Sequence, residues 1–583
     1  MQVRAPGYDH FTTDVLIIGA GAAGLRAAIE LSRGGVDTLV VGKSRHGDAH
    51  TIWAAGGVNA SLGTRDPEDS PDIHAADTIG EGHYVTDPQA VAKLAYEAPE
   101  RIRELQDWGC RFSLTEDGEI DQRYFGAQSF RRTCFAGDRT GEAMLSTLVE
   151  KAKDISVPYR ENVYITKLLT ASPDSGGHVN GAAGYDLKTG RRLLFSARAV
   201  VIAAGGLTSL YERSSSRRNE NNGDAMALAY DAGAALRDME FVQFHPTGMV
   251  QPEEMAGMLV TEAVRGEGGR LYNAEGERFM EHYSPDHMEL DARDVVARAN
   301  YREIQAGRGV EGDAVLLDIS HRDADYIKER LPKMYEQFSS LGVDITREPM
   351  KVSPTAHYAM GGIKVDFDTM QSTVRGLYTI GEATAGVHGA NRLGGNSLAE
   401  TVVFGKVLGE YLTGNLDSLP RSNPDEAEVA RHFADLDALG ASKGEHDPNE
   451  LVSELRRLVW DHAGIVRTEK GLDEGLRKLA GLKEKADSLD VVGGSGDLEQ
   501  ALNLRSMLTA SEAILRGARL REESRGAHHR EDFELEDPDW QKTILCAPGV
   551  EGMQLWNEPI GEIPQKIQKA LDEDYSLDYH HLE

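Results

Sequence analysis

The stretch GAGAAG at residues 19–24 is the first place in this sequence where residue types and spacing indicate chemistry. It follows the apolar run VLII and precedes a segment with Ala and Leu on one helical face, which predicts a strand, a tight turn and a helix. In such a turn Gly19 permits the bend, Gly21 lets a pyrophosphate approach the backbone, and Gly24 allows close helix-to-strand packing. This context predicts a dinucleotide site. A purely structural glycine turn is the alternative, and the motif does not separate FAD from NAD.

Two features downstream of this turn refine the prediction. Lys43 and Ser44 end the second strand, VVGKS, where a standard NAD site carries an Asp or Glu that binds the ribose. Their presence counts against such a site. His50 then stands in GDAHTIWAAGG, residues 47–57, between a polar loop and paired glycines. From the residues alone, His50 either caps this loop or takes part in chemistry.

The charge balance restricts the possible partners. The 583 residues include 63 Lys and Arg against 95 Asp and Glu, a formal charge of -32. Such a surface repels nucleic acid and anionic lipid, so we expect no nucleic-acid partner, and an anionic substrate needs a locally basic pocket. No apolar run approaches the roughly 18 residues of a membrane span, and the N-terminus lacks the apolar region of a secretory signal. A cytoplasmic chain is expected.

The cysteines predict no metal centre. Cys110, Cys134 and Cys546 are far apart and form no CxxC pair. This usage encodes neither a disulfide framework nor a zinc or iron-sulfur site, so no metal ligand is predicted. Electrons that leave this chain would therefore pass to another chain.

Three strand-to-glycine segments indicate one interrupted α/β domain. They are a βαβ unit at 12–42, ARAVVIAAGG at 197–206 and VRGLYTIGEATAG at 374–386. The length suits about three or four domains. The predicted division is 1–240 and 351–422 for the two parts of a Rossmann-like dinucleotide domain, 241–350 for an inserted capping domain, 423–530 for a helical domain and 531–583 for an irregular surface tail.

An ordered series of motifs resembles a known family. The sequence is similar to the flavoprotein subunit of succinate dehydrogenase and fumarate reductase, within a superfamily that also contains L-aspartate oxidase. The resemblance covers most of the chain and implies a Rossmann-like FAD-binding domain with a capping insertion. The motifs are GAGAAG, HTIWAAGG, FGAQSFRRTCFAGDRTG, AAGG, NNGDAMALA, QFHPTG, VTEAVRGEGG, DARDVVARA, SPTAHYAMGGI, GEATAGVHGANRLGGNSL and SRGAHHREDF.

The resemblance assigns the flavin site. A histidine followed by Thr carries the flavin covalently in respiratory members, through the 8α-methyl group, and His50 occupies that place; alkylation raises the flavin potential, which suits oxidation of a saturated C-C bond. Ala55 departs from the Gln or Glu common in relatives. Glu382 follows a strand end, where it can accept ribityl hydroxyls. The cofactor residues implied are Gly19, Gly21, Ala23, Gly24, Lys43, Ser44, His50, Thr51, Gly56, Gly57, Ala204, Gly205, Asp224, Glu382, Ser397 and Leu398.

The resemblance also assigns substrate and catalytic residues. Arg293 in DARDVV matches the residue that exchanges a proton with the substrate carbon while hydride passes to or from flavin N5. Glu262 and Arg265 match the rest of its relay, and a helix would place both on one face. An ordinary solvated Glu-Arg pair is the alternative. The implied substrate-binding residues are His245, Thr261, His357, Arg392 and Phe125, among which arginine can grip a carboxylate bidentately.

Three functions remain open within this superfamily. A respiratory succinate:quinone oxidoreductase subunit, active in electron transport and the tricarboxylic acid cycle, is favoured by His50 and Phe125. An L-aspartate oxidase would carry Ser and Glu there, since an apolar ring cannot neutralise the substrate ammonium. Ala127 replaces a glycine usual in both branches. A soluble fumarate reductase or thiol-linked reductase is the third possibility.

The respiratory interpretation implies specific partners. It predicts an iron-sulfur subunit docked on the helical domain and tail and, through it, membrane anchor subunits and quinone. The chain would then lie peripherally on the cytoplasmic face of the cell membrane. The sequence leaves open whether succinate oxidation or fumarate reduction is the physiological direction.

Overall fold

The computed structural model describes residues 2–5, 7–171, 177–492 and 495–573. The strands are β1 (Gln2–Ala5), β2 (Tyr8–Thr12), β3 (Val15–Ile18), β4 (Thr38–Val41), β5 (Val58–Asn59), β6 (Gln122–Arg123), β7 (Thr133–Cys134), β8 (Tyr159–Arg160), β9 (Val163–Thr170), β10 (Val179–Asp186), β11 (Arg192–Ser196), β12 (Ala199–Ile202), β13 (Leu236–Arg237), β14 (Val242–Met249), β15 (Arg270–Tyr272), β16 (Val315–Asp318), β17 (Met350–Ala359), β18 (Gly362–Ile363), β19 (Leu377–Thr379), β20 (Lys542–Gly549) and β21 (Gly552–Pro559). The α-helices are α1 (Ala22–Arg33), α2 (Pro71–Glu81), α3 (Pro88–Asp107), α4 (Thr140–Asp154), α5 (Asp224–Asp231), α6 (Ala263–Gly266), α7 (Met280–Tyr283), α8 (Arg293–Glu303), α9 (Ala324–Arg330), α10 (Pro332–Ser340), α11 (Asn396–Asn415), α12 (Glu426–Gly440), α13 (Pro448–Ala463), α14 (Glu469–Ala486), α15 (Ser495–Leu520) and α16 (Gln565–Asp572).

A parallel five-stranded sheet forms the centre of the dinucleotide domain. Its order is β19-β12-β3-β4-β8, and every neighbouring pair is parallel. All four residues of β3 are buried, as expected for a parallel strand covered on both faces. The chain reverses its direction across the sheet at β3, and a crevice at the carboxyl ends of the strands is where such sheets bind ligands. The Rossmann-like α/β fold predicted from the sequence is confirmed.

The described residues form four further sheets. One has the order β1-β2-β11-β10-β9. Another, β14-β17-β16-β15, is antiparallel and belongs to the inserted segment. The insertion has its own apolar cluster, which runs in sequence from Met249 to Val352. Its last strand, β17, begins at Met350 and pairs with β14, so the sheet continues past the predicted boundary at 350.

Helices cover the parallel sheet and form the C-terminal region. Helix α1 packs on α11, where a Cβ on Gly409 would lie 2.4 Å from Glu30 Cβ, so glycine allows this close approach. Helices α13, α14 and α15 pack against one another, and α15 also contacts α5. One apolar cluster includes Leu16 of β3 and Leu515 of α15, so the helical region shares a core with the nucleotide domain.

The C-terminal tail differs from the irregular segment that was predicted. Strands β20 and β21 form an antiparallel hairpin, and β20 also pairs with β13. Helix α16 packs on α2 through Ile567 and Ala570. Strand β21 is hard to recognise in the sequence because most of its side chains are exposed or half-buried and lack apolar alternation. Residues 574–583 of the predicted tail lie outside the described residues.

Within the described ranges, no helix is both long enough and apolar enough to span a membrane.

Candidate active site

A cavity of ≈ 590 Å³ lies at the carboxyl ends of the central strands. Gly19 after β3, Lys43 after β4 and Ala204 after β12 all contribute to its wall. The structure places nearly every predicted site residue on this one cavity. Two do not line it: Gly24, which lies behind the turn, and Arg265, which lies behind Glu262. The predicted residues that line it are Gly19, Gly21, Ala23, Lys43, Ser44, His50, Thr51, Gly56, Gly57, Phe125, Ala204, Gly205, Asp224, His245, Thr261, Glu262, Arg293, His357, Glu382, Arg392, Ser397 and Leu398.

The glycine turn builds a cradle suited to a phosphate group. Gly19 has φ +115, and a Cβ there would lie 2.1 Å from Ala203 O. A Cβ on Gly24 would lie 2.1 Å from Gly19 O, so this glycine lets α1 pack against the turn. Gly21 precedes α1 and provides no side-chain cap, while Ala22 N donates to Thr51 Oγ1 at 3.2 Å. The other amide groups of the first turn are thus available to a phosphate.

An ion pair closes one part of the cavity. Lys43 Nζ lies 2.5 Å from Asp224 Oδ2 and 3.8 Å from the centre of the Tyr164 ring. The Tyr164 hydroxyl donates to Asp224 Oδ1 at 3.2 Å. Asp224 begins α5, so a distant helix brings a carboxylate to the end of β4, where the local sequence supplies none. This carboxylate is placed to accept hydroxyl groups of a bound nucleotide.

His50 begins a short 3-10 helix that ends at Trp53. Its imidazole lines the same cavity as Glu382. Burial raises the pKa of Glu382 above its usual range, although the nearby His50 opposes the shift. Glu382 Oε1 also accepts a hydrogen bond from Ala359 N at 3.1 Å. The carboxyl group is thereby held at the wall of the cavity.

Two buried arginines converge at the other end of the cavity. Arg293 Nη1 and Arg392 Nη2 both donate to Gln243 Oε1, at 3.1 and 3.0 Å. Arg392 Nη1 also donates to Ser397 Oγ at 3.0 Å, and its guanidinium lies 4.3 Å from the centre of the Tyr358 ring. Burial and the charge of Arg293 lower the pKa of Arg392 to about 9. An anion bound between the two guanidinium groups would oppose this shift.

Gln243 is a site residue that sequence reasoning missed. It is fully buried on β14, and its Nε2 donates to Asn391 Oδ1 at 2.7 Å and to Arg392 O at 2.9 Å. Its side chain therefore orients both arginines. A signal was present in QFHPTG, because Gln243 and His245 are two apart on one strand and such residues share a face.

Glu262 joins the two other predicted relay residues. Arg293 Nε and Nη2 donate to Glu262 Oε2 at 2.7 and 2.5 Å, and Arg265 Nη2 lies 3.8 Å from Glu262 Oε1. Gly126 N donates to Glu262 Oε1 at 3.1 Å. Burial alone would raise the pKa of Glu262, but the charges of Arg293 and Arg265 outweigh it and lower the pKa to about 2. The carboxylate is therefore ionised at neutral pH.

The two predicted substrate histidines lie together. The ring centres of His245 and His357 are 5.3 Å apart, and the rings are nearly perpendicular. Burial and the neighbouring arginine charges lower the pKa of His245 well below its usual range. Burial and the nearby positive charges of Arg392 and Arg293 lower the pKa of His357 in the same direction. Both rings are neutral at pH 7. Among the described residues, His245 Nε2 has no hydrogen-bond partner.

Phe125 closes the cavity beside Arg293. Its ring occupies the space that side chains at Gly56 and Gly394 would need, since a Cβ at these positions would lie 2.3 and 3.1 Å from the ring. Ala127, two residues on, has φ 61, a left-handed conformation that favours glycine. The replacement of the usual glycine by Ala127 therefore places an alanine in a backbone conformation that strains it.

A second cavity, of ≈ 260 Å³, lies on the other side of Phe125 and Glu262. Its wall also includes Arg330 and Glu267, which are paired at 2.8 Å. Glu262 thus borders both cavities and lies between them.

Comparisons with known proteins agree with this geometry. A family model described as "FAD binding domain" matches residues 14–398, and one described as "Fumarate reductase flavoprotein C-term" matches residues 452–566. A relative from Methanothermobacter marburgensis, named as one subunit of a fumarate reductase (CoM/CoB), is 44% identical over 92% of this chain and 97% of its own length. The succinate dehydrogenase flavoprotein subunit of Coxiella burnetii is 38% identical over 91% and 93%. This chain belongs to the succinate dehydrogenase and fumarate reductase flavoprotein family.

Solved structures of the family superpose over nearly the whole chain. Mycobacterium smegmatis Sdh1 in complex with UQ1 has 38% identity and a TM-score of 0.86, covering 98% of this chain and 100% of that one. A variant of the E. coli quinol fumarate reductase protein FrdA has 32% identity and a TM-score of 0.88, covering 96% and 99%. Like its family, this chain is an FAD-dependent oxidoreductase, and the phosphate cradle at Gly19 and the long cavity fit that cofactor.

Proposed function

We propose that this chain interconverts succinate and fumarate at the arginine end of the flavin cavity. The observation that carries the proposal is the convergence of Arg293 and Arg392 on Gln243, with Arg392 Nε and His245 Nε2 buried and without partners among the described residues. A small dianion would satisfy both donors and the excess positive charge. Because the net charge of the chain is strongly negative, a dianion is attracted to this basic pocket and is repelled by most of the remaining surface.

The chain's residues would fix the dicarboxylate before reaction. Arg392 grips one carboxylate through its planar guanidinium, and the neutral imidazoles of His245 and His357 donate single hydrogen bonds. Thr261, also fully buried, offers a hydroxyl at the same wall. When bound, FAD accepts a hydride at N5 from one substrate carbon or donates one to it.

Arg293 would exchange the proton with the other carbon. An arginine is a poor acid by its ordinary pKa, above about 12, so it needs a fixed position and a partner that returns its proton. Glu262 supplies both through its two hydrogen bonds to Arg293. Arg265, 3.8 Å from Glu262, completes the relay, and the second cavity gives Glu262 a route for proton exchange away from the substrate.

Phe125 and His50 favour a C-C oxidoreductase over L-aspartate oxidase. The Phe125 ring is apolar and buried, so it offers nothing to neutralise an amino group beside the substrate. His50 lines the flavin cavity, where covalent attachment of FAD would raise the flavin potential and favour oxidation of succinate. We therefore include the covalent bond at His50 in the proposal.

The proposal extends to partner chains. Cys110, Cys134 and Cys546 are all buried and unpaired, so they provide no cluster to carry electrons out of this chain. An iron-sulfur subunit docked near the flavin would take that role, with membrane anchor subunits and quinone beyond it. This arrangement places the chain peripherally on the cytoplasmic face of the cell membrane. A quinone ligand, UQ1, is named for the M. smegmatis Sdh1 structure.

A second candidate is fumarate reduction coupled to other electron donors. The 44% identity to the fumarate reductase (CoM/CoB) protein of M. marburgensis favours it. The dicarboxylate site would be the same and only the electron partner would differ. Fumarate reduction by the purified complex with CoM and CoB, but not with quinol, would select this candidate.

Steady-state assays test the proposed reaction. The purified holoprotein should oxidise succinate with an artificial acceptor and reduce fumarate with a reduced dye. It should leave L-aspartate untouched in the presence of oxygen. Oxidation of L-aspartate at a rate comparable to that of succinate would overturn the proposal in favour of the oxidase.

A further inference from the structure

A carboxylate faces the His50 imidazole from a segment far away in the sequence. His50 Nδ1 lies 3.7 Å from Glu220 Oε2. Within the described part of the chain, both atoms are buried and neither has a hydrogen-bond partner. The Nδ1 side of the ring is therefore directed at Glu220.

Glu220 is itself held in place by a chain of charges. Arg217 donates through Nη2 to Glu220 Oε1 and through Nη1 to Asp48 Oδ1, the latter at 2.8 Å. Asp48 lies two residues before His50. Arg217 therefore links the loop that carries His50 to the segment before α5. The arginine occupies only one oxygen of Glu220 and leaves Oε2 for His50.

The surrounding charges make His50 basic. Burial alone would lower the pKa of His50, but Glu220 and, more weakly, Glu382 outweigh it and raise the pKa. Arg217 opposes this shift. His357, which also faces this region, has a pKa held well below its usual range, so it is neutral.

We propose that Glu220 is a positioning residue for covalent attachment of FAD to His50. The proposal rests on the covalent bond included in the proposed function. Glu220 holds the tautomer in which Nδ1 carries the proton, and this leaves the lone pair on Nε2 for the flavin. It also stabilises the imidazolium that forms when Nε2 becomes bonded to carbon.

The attachment step is an oxidation of the flavin methyl group by the flavin ring itself. His50 Nε2 forms a bond to the flavin C8α, and the methyl C-H bond at that carbon breaks. The imidazolium would then give its Nδ1 proton to Glu220. The electron pair of the broken C-H bond would reduce the flavin ring by two electrons, and the reduced ring would take up two protons, which balance the one lost from the methyl carbon and the one that Glu220 releases again. Fumarate, the oxidant of the proposed reaction, reoxidises it and leaves as succinate.

The test measures the rate of covalent attachment in the full chain. Wild type, Glu220→Gln, Glu220→Asp and a control, Glu253→Gln, are purified without flavin and mixed with FAD and fumarate. Glu253 is an exposed carboxylate on the same cavity and is a matched control for removal of charge. Covalent flavin is read as fluorescence of the denatured polypeptide and as intact mass, and total bound FAD by absorbance. His50→Ser lacks the imidazole and gives the background level of the covalent signal.

The expected result separates attachment from binding. Glu220→Gln should bind FAD fully but attach it about ten- to hundred-fold more slowly, less than the ~10²–10⁴ of a base that touches the reacting group. Glu220→Asp should restore part of the rate, and Glu253→Gln should match wild type. Equal rates in wild type and Glu220→Gln would overturn this inference alone. A wild type that releases all its flavin on denaturation would instead overturn the covalent bond at His50.

The pH profile distinguishes an electrostatic role from a structural one. Attachment requires neutral His50, so the wild-type rate should rise with pH through the raised pKa of that histidine. Without the Glu220 charge the midpoint should fall to lower pH, while the plateau at high pH stays low. A slow variant with an unshifted midpoint would contradict the proposed role.

Discussion

The proton-transfer role proposed for Arg293 gives the most demanding prediction. Arg293 makes two hydrogen bonds to Glu262 and one to Gln243, and all three groups are buried. Arg293→Lys retains a positive charge but cannot reproduce the planar fork that spans both partners. Arg293→Gln removes the charge as well. In both variants the substrate still meets Arg392.

The expected loss follows from these contacts. Each charge-assisted hydrogen bond contributes about 1.5–3 kcal/mol. Losing the two hydrogen bonds between Arg293 and Glu262 therefore removes about 3–6 kcal/mol of the interaction energy that holds Arg293 in place. A positioned acid contributes about 10²–10⁴ in rate. We therefore expect turnover to fall by about three decades, or about 4 kcal/mol in the activation barrier.

The assay compares turnover with binding in the same preparations. Succinate oxidation with an artificial acceptor and fumarate reduction with a reduced dye give turnover. Titration of the flavin spectrum with malonate gives the dissociation constant of a dicarboxylate. Arg302→Lys, on the exposed side of the same helix α8, is the control. If Arg293→Gln retains more than about a tenth of wild-type turnover, the assignment of Arg293 as proton donor is refuted.

Three further predictions concern the cavity and its wall. Arg392→Lys should weaken malonate binding about ten- to hundred-fold, because it removes a charge-assisted contact of about 1.5–3 kcal/mol; unchanged binding would mean that the pocket lies elsewhere. Phe125→Glu should weaken succinate binding by placing a further carboxylate beside Glu262, and tighter binding in a malonate titration would contradict this. Ala127→Gly should raise the free energy of unfolding by up to about 1 kcal/mol, because φ 61 strains alanine; a lower denaturation midpoint would argue against strain there.

Residues within contiguous motifs could be predicted because the fold brings motif ends together. Gly19 follows β3, Lys43 follows β4 and Ala204 follows β12, and parallel strands deliver these ends to one edge of the sheet. Motif recognition therefore placed residues from several distant segments on one cavity wall.

Other features depend on contacts between distant segments and left little trace in the sequence. Gln243 acquires its role only because arginines from α8 and from the loop before α11 meet at its side chain. Glu220 faces His50 only in the folded chain and stands in the polar run SSSRRNENN, which has the composition of a solvated loop. The hairpin of β20 and β21 was missed because pairing, rather than side-chain burial, defines its outer strand.

A single-turnover experiment tests the central claim most directly. The flavin of the holoprotein is reduced in the absence of oxygen by one equivalent of a reduced dye, and the protein is then mixed with fumarate. Our account predicts that the flavin is reoxidised as one succinate forms per flavin, and that Arg293→Gln, which still binds malonate, reoxidises about a thousand-fold more slowly. A flavin that stays reduced in the presence of saturating fumarate, yet is reoxidised by oxygen after reduction with L-aspartate, would contradict it.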